Sequence, residues 1–535
     1  MIRRLPLHER PVKLVSEDRH RQDEAIPTGG LTTIHTPALE MKQYQLESAL
    51  LPQGWARECI VTVADDGIIT RVDAGTGPAP TPGRTSTPDI ARAAGLAPTS
   101  DGASTPGAKI GASTFVAERV TGVVIPGMPN AHSHAFQRAM VGNTEYRLSA
   151  RDSFWTWRQA MYHLANRIEP EELQILATQL FVEMLKAGYT SVAEFHYLHR
   201  QKNGAPYPGT NSLWEAIDNA ADIAGIGLTF LPTLYQTSDF GGKPLKREQA
   251  RFAMDTDVFL RAIQQRLSGR RPNARTRTGA AFHSLRAVPL DHLREAALQL
   301  RGLDATLPVH IHVAEQLREV KACKQETGRR PIELLLESGL LTPHWCLVHA
   351  THATAEELGG IAAAATIVCV SISTEANLGD GFFDTTRFLK AGGCLCVGSD
   401  SQATVSPAEE LRWMEYQQRL RKKGRAVLAA DTEPHVGTRL WRDAAQHGAQ
   451  AIGQPAGAIA VGRRADWLVL DDTHPSMVGA APQSALDHLL FAGASAAIRD
   501  VMVAGRWVIQ DGRHAAEEDL RGRFARLMNG LAEPG

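Results

Sequence analysis

The chain has 535 residues, 43% of them hydrophobic and 21% charged, with a formal net charge of −1. That length allows one large domain with an appendage, or two to three smaller ones. The balanced charge offers no global field to nucleic acid or an acidic membrane, the N-terminal "MIRRLPLHERPVKLV" lacks the apolar core of a signal peptide, and no window approaches a membrane span.

Residues 1–43 are polar, broken by "PTGGLTT" and without periodicity, and read as a disordered extension. Residues 44–74 alternate like short strands, as in "CIVTVADDGIITRV", and form the first part of a small β-domain. Residues 75–116 are dense in Pro, Gly, Thr and Ser and read as a flexible insertion. From there to residue 455, short β-branched runs alternate with amphipathic helical text. The runs are "GVVIPGMPNAHSH", "TSVAEFHY", "LTFLPTLYQ", "TGAAFHS", "LPVHIHVAE", "CLVHATH", "ATIVCVSIST" and "CLCVGSD". Eight strand–helix repeats predict an α/β fold, a (β/α)8 TIM-type barrel. A doubly wound open sheet gives the same alternation. Residues 456–515 return to strand text ("ADWLVLD", "IRDVMVAGRWVIQDG") and complete the small β-domain from the other chain end, leaving 516–535 as a C-terminal helix or tail. The basic run "RLRKKGR" (Arg419 to Arg425) reads as a solvated helix face. Six cysteines without a C-x-x-C pair read as buried thiols of a reducing compartment, which places the chain in the cytoplasm.

Where reactive side chains fall separates the barrel from the open sheet. His132 and His134 end the first run, His196 the second, Tyr235 the third, His283 the fourth, His312 the fifth, His349 the sixth and Asp400 the eighth. In a barrel all strand C-termini open on one mouth, so these residues converge; an open sheet scatters them along a line. His132 and His134, two apart in an extended segment, point the same way. Alone, such a pair is as well explained by one capping and one core histidine. With His312 and Asp400 it becomes a nitrogen-rich donor set that suits one Zn²⁺, though Fe²⁺ or Mn²⁺ would also bind. The fourth run, "AAFHSLR", has no lysine to bridge a second ion. Glu315, three beyond His312, is placed to carry a proton between a metal-bound water and a departing amine; the competing reading is a helix cap. His349 either polarises the water or is structural.

The pattern of H-x-H, then His with Glu three later, then His, then "GSDS" resembles the amidohydrolase superfamily in its mononuclear deaminase branch. Longer strings ("DSFWTWRQAMY", "AEFHYLHR", "FHSLRAV", "HIHVAEQ", "TEANLGDGFF") resemble members that deiminate a linear amidine carrying two carboxylates. The resemblance implies one divalent metal, most simply Zn²⁺, on His132, His134, His312 and Asp400. It implies that Glu315, His349 and Asp400 are catalytic and that Gln137, Arg158, Tyr197, His283 and Arg286 contact substrate. It further implies a small-molecule dicarboxylate as partner and a homodimer. The chemistry agrees for the arginines, whose planar forks grip carboxylates. "VSIST" (Val370 to Thr374) stands where such members have Cys-Pro-Thr, which bears on the seventh strand's end and the pocket wall. A deaminase of guanine-like or cytosine-like rings is the competing enzyme. A catalytically silent barrel is the competing binding protein, and it would have lost ligands that are all present here.

Overall fold

A computed structural model describes residues 41–75, 116–145, 153–208, 211–269, 275–493 and 495–532. The expectations for the N-terminal extension and for the Pro/Thr/Gly-rich insertion fall almost wholly outside these residues.

Two sheets organise the described chain. The larger is a parallel barrel. Its strands in order are Met128–Ser133, Tyr189–His196, Gly227–Leu234, a fourth in two pieces (Thr276–Thr278 and Ala280–Phe282), Val309–Val313, Trp345–His349, Ile367–Val370 and Cys394–Val397. Both pieces of the fourth hold the same register on the third strand, Leu228 opposite Thr276 and Leu234 opposite Phe282. The ring closes where Ser133 bridges Asp400 in parallel. There the His134 N–H donates to Asp400 O at 3.1 Å and the Asp400 N–H to His132 O at 3.0 Å. The strands are buried on both faces because helices cover the outside, which is why they read as continuous apolar runs.

The helix Pro170–Ala187 shows how local sequence sets these covers. Proline opens it, and the Glu172 carboxylate accepts the Glu169 N–H at 2.8 Å. Leu173, Leu176, Leu180 and Met184 fall on one buried stripe. Gly188 ends the helix in the left-handed region (φ 105°). The C-terminal helix Glu517–Ala532 lies against it, with Lys186 Nζ 2.8 Å from Glu517.

The second sheet has seven strands, in the order Arg506–Ile509, Ile498–Val503, Trp467–Leu470, Glu118–Pro126, Lys42–Leu51, Gly54–Val63 and Ile69–Asp73. Segments from both ends of the chain thus build one sheet around buried Tyr44, Val61, Val124 and Trp467. One expectation is corrected here. "GVVIPGMPNAHSH" is two strands, not one. Glu118–Pro126 pairs with Lys42–Leu51 and Trp467–Leu470, and the barrel begins only at Met128, so residue 117 is not its start. The crossing happens at Gly127, where a Cβ would lie 2.3 Å from the Thr190 side chain. A continuous apolar run carries no sign that its strand changes sheets.

Candidate active site

The C-terminal ends of the barrel strands carry the chemistry. His132 and His134 leave the first strand on the same side. One ligand atom from each of His132, His134, His312 and Asp400 lies within 4.8 Å of the other three, and all four residues are buried. His312 Nε2 is 3.0 Å from His132 Nε2 and 3.3 Å from His134 Nε2, and Asp400 Oδ1 is 3.3 Å from His132 Nε2. The far nitrogens set the tautomers. His134 Nδ1–H donates to Phe195 O and His312 Nδ1–H to His283 O, each at 2.8 Å. Neutral rings held this way turn bare Nε2 lone pairs toward each other. Burial lowers the pKa of all three imidazoles, His134 to about 3. Burial pushes the Asp400 carboxyl up, but His132, with His349 and His134, outweighs this and holds it below the usual range. The lone pairs of His134 and His312, the Nε2 of His132 and one carboxylate converge on one point, and a divalent cation fits them.

Glu315 and His349 stand beside this set. Glu319, in the first turn of the helix Leu317–Thr327, reaches back to accept the N–H of Ala314 (3.3 Å) and of Glu315 (3.1 Å) just before the helix. The N-cap is Gln316, without a side-chain cap bond, so Glu315 does not cap the helix, and its own carboxyl faces the cavity. Burial raises Glu315 to about 7 against the opposing pull of His349. His349 Nδ1 faces Glu375 Oε1 at 3.3 Å and its Nε2 faces Asp400 Oδ2 at 3.7 Å. Burial would lower His349, but Glu315, Glu375 and Asp400 outweigh it and raise it to about 10. The backbone is strained around these groups: Ala314, His349, Ala350, Asp400 and Gln402 all have positive φ, from 46° to 71°.

The same cavity also brings together Gln137, Arg158, Tyr197, His283 and Arg286, with Tyr197 and His283 next to His134 and His312. Gln137 Nε2 donates to the Tyr197 hydroxyl at 2.9 Å, leaving its Oε1 buried without a partner. Arg286 is buried, and its Nε and that of Arg158 have no hydrogen-bond partner. No described carboxylate forms an ion pair with either arginine. The Arg158 guanidinium lies 4.5 Å from the Trp155 ring centre and 5.5 Å from that of Tyr162. Burial, and then Arg286, lower its pKa. His283 is lowered far more, by burial and then by Arg286, and is neutral.

His196 is a correction. It closes the second strand but does not reach the mouth. Strand alternation sends Phe195 toward His312 (ring centres 4.4 Å apart) and Tyr197 toward His283 (5.6 Å), while His196 packs on Phe230, which also meets Trp214 and Arg266 of the helical layer. Tyr235 does reach the cavity. Three groups escaped the sequence reading: Glu319, Glu375 and the exposed Arg318, which stacks 4.3 Å from the ring centre of Trp155. Glu375 lies in the "TEANLGDG" string that carried the resemblance, yet nothing local said that it meets His349. In the altered "VSIST" segment the seventh strand ends at Val370, and Thr374 contributes to the cavity wall, its hydroxyl 3.0 Å from that of Ser401.

The amidohydrolase family matches residues 123–508. Formimidoylglutamate deiminase of Pseudomonas aeruginosa is 45% identical over 91% of this chain and 99% of its own. The 8-oxoguanine deaminase of the same organism is 29% identical over 75% of this chain and 85% of its own. Among solved structures, an amidohydrolase from Brucella melitensis superposes with a TM-score of 0.79 at 37% identity, covering 92% of this chain and all of that one.

Proposed function

The chain belongs to the amidohydrolase family, and from that premise we propose that it hydrolyses N-formimino-L-glutamate to N-formyl-L-glutamate and ammonia, a step of histidine degradation. One observation carries the choice of substrate. Two guanidiniums that form no ion pair with a described carboxylate, each with a buried unpartnered Nε, share a cavity with a metal-type donor set, which suits a linear amidine with two carboxylates.

His132, His134, His312 and Asp400 would hold the metal. Three imidazoles and one carboxylate suit a single zinc ion, and the fourth strand runs out in Phe282 and His283 without a lysine to share a second. Bound there, a divalent ion supplies Lewis acidity and lowers the pKa of a water. Glu315 then takes a proton from the water and delivers it to the departing amine nitrogen, a task for a carboxyl poised near neutrality. His349, kept cationic by its carboxylate neighbours, stabilises negative charge developing on the oxygen of the attacking water. The unpartnered Oε1 of Gln137, oriented through Tyr197, accepts from the formimino N–H. Arg158 and Arg286 take the carboxylates, and neutral His283 completes that wall without adding charge.

Ammonia release from N-formiminoglutamate, measured beside guanine, 8-oxoguanine and cytosine, tests this reading. We expect turnover of the linear amidine alone. Turnover of a ring with none of the amidine overturns it.

A further inference from the structure

Glu194 is a buried carboxylate with no place in that chemistry. It sits on the second strand, makes no ion pair with a described residue, and does not line the cavity. An unpaired buried carboxylate is costly unless its oxygens are well used. Both are used on one short turn. Oε1 accepts the Ala135 N–H at 2.7 Å and Oε2 accepts the Ser133 hydroxyl at 2.9 Å. Ser133 lies between His132 and His134, and Ala135 follows directly, so Glu194 holds the H-x-H turn from both sides. The next residue on the same strand, Phe195, takes the Nδ1–H of His134.

The contact continues across the barrel seam. Gln402 Nε2 donates to the Ser133 hydroxyl at 3.1 Å and to Asp400 O at 2.6 Å. The chain Glu194–Ser133–Gln402–Asp400 therefore joins the second, first and eighth strands. It touches the backbone or neighbours of three of the four donors and none of their ligand atoms.

We propose that Glu194 is a positioning residue of the metal centre, a clamp that fixes the H-x-H turn against the Asp400 strand end. This rests on the assignment of His132, His134, His312 and Asp400 as the metal seat. Outer partners of metal ligands typically change affinity or activity by about 10–100-fold when removed. A matched control exists in Glu410, equally buried, which accepts the Ser373 N–H at 3.1 Å and takes its hydroxyl as well, away from the H-x-H turn.

The test measures Zn²⁺ release to a chromogenic chelator, and the visible absorption of the Co²⁺-loaded protein, for wild type, Glu194→Gln, Ser133→Ala and Glu410→Gln. Glutamine keeps the volume at 194 but turns an N–H₂ toward one of two sites that need an acceptor. Serine to alanine opens the same clamp from its other end while leaving the Glu194 carboxyl in place. We expect release about 10–100-fold faster in both clamp variants, with an altered Co²⁺ spectrum, and wild-type release in Glu410→Gln even where its melting temperature falls. Wild-type release and spectrum in Ser133→Ala and Glu194→Gln overturn the clamp. Faster release in all three variants also overturns it, since that is what general destabilisation gives. A wild-type protein that retains no divalent ion overturns the metal assignment instead.

Discussion

The two walls of the cavity are built on opposite principles. The wall proposed to hold the metal is made of strand ends, with His134 and His312 fixed through their far nitrogens to backbone carbonyls, and its polar atoms turn inward on one another. The arginine wall draws Arg158 from the helix Phe154–Ala165 and Arg286 from the loop after the fourth strand; neither forms an ion pair with a described carboxylate, although the buried Glu319 and Glu315 act on Arg286 from nearby. On the proposed reading the first half would supply reactivity and the second selectivity.

Removing the metal should break the comparison most completely. Chelation should cost about 10³-fold or more in kcat, restored by one equivalent of Zn²⁺ per chain, because the ion supplies several kcal/mol of charge stabilisation. Metal analysis showing two equivalents at full activity contradicts a single seat. Next in size is Glu315→Gln, which should keep the metal and lower kcat by about 10²-fold or more; normal turnover at normal metal content would reassign that carboxyl. On the other wall, Arg286→Met should lower kcat/KM for formiminoglutamate at least about tenfold, as a charge-assisted hydrogen bond contributes about 1.5–3 kcal/mol. A neutral formamidine should lose much less, and equal losses on both would make Arg286 a prop and not a fork. The smallest effect is in pH. Glu315 must be ionised to accept a proton, and burial raises its pKa to about 7. A cation on the neighbouring donors pulls that value down, so kcat should fall about tenfold per unit as pH drops through a point at or below 7. An acid limb retained in Glu315→Gln would assign it to another group.

Much of this was legible because barrels convert sequence order into place. Eight apolar runs with reactive residues at their ends give the mouth, and His132, His134, His312 and Asp400 meet there as strand geometry requires. His196 shows the limit of reading strand ends by position: the residue that counts is the one whose alternation points inward, here Tyr197. The strand change at Gly127 was hidden because burial on either side of it looks alike in sequence. Glu319 and Glu375 were hidden for another reason. A carboxylate that accepts backbone N–H groups at a helix start, or meets a histidine of another strand, is defined by a fold-level contact and has no local pattern.

The seam between the first and eighth strands has a consequence for how the molecule assembles. Asn130 and Ser399, hydrogen-bonded there at 2.7 Å, are 269 residues apart in the chain. His132 and His134 stand on one side of that seam and Asp400 on the other. The donor set cannot exist until the most distant pairing in the barrel has formed, a loop closure with its own entropic cost. An ion bound across it would act as a non-covalent staple on that edge. At a free concentration 100 times its dissociation constant it adds about 2.7 kcal/mol to folding. Amide hydrogen exchange should therefore slow on metal loading first along Met128–Ser133 and Cys394–Val397, before the distant fourth strand responds.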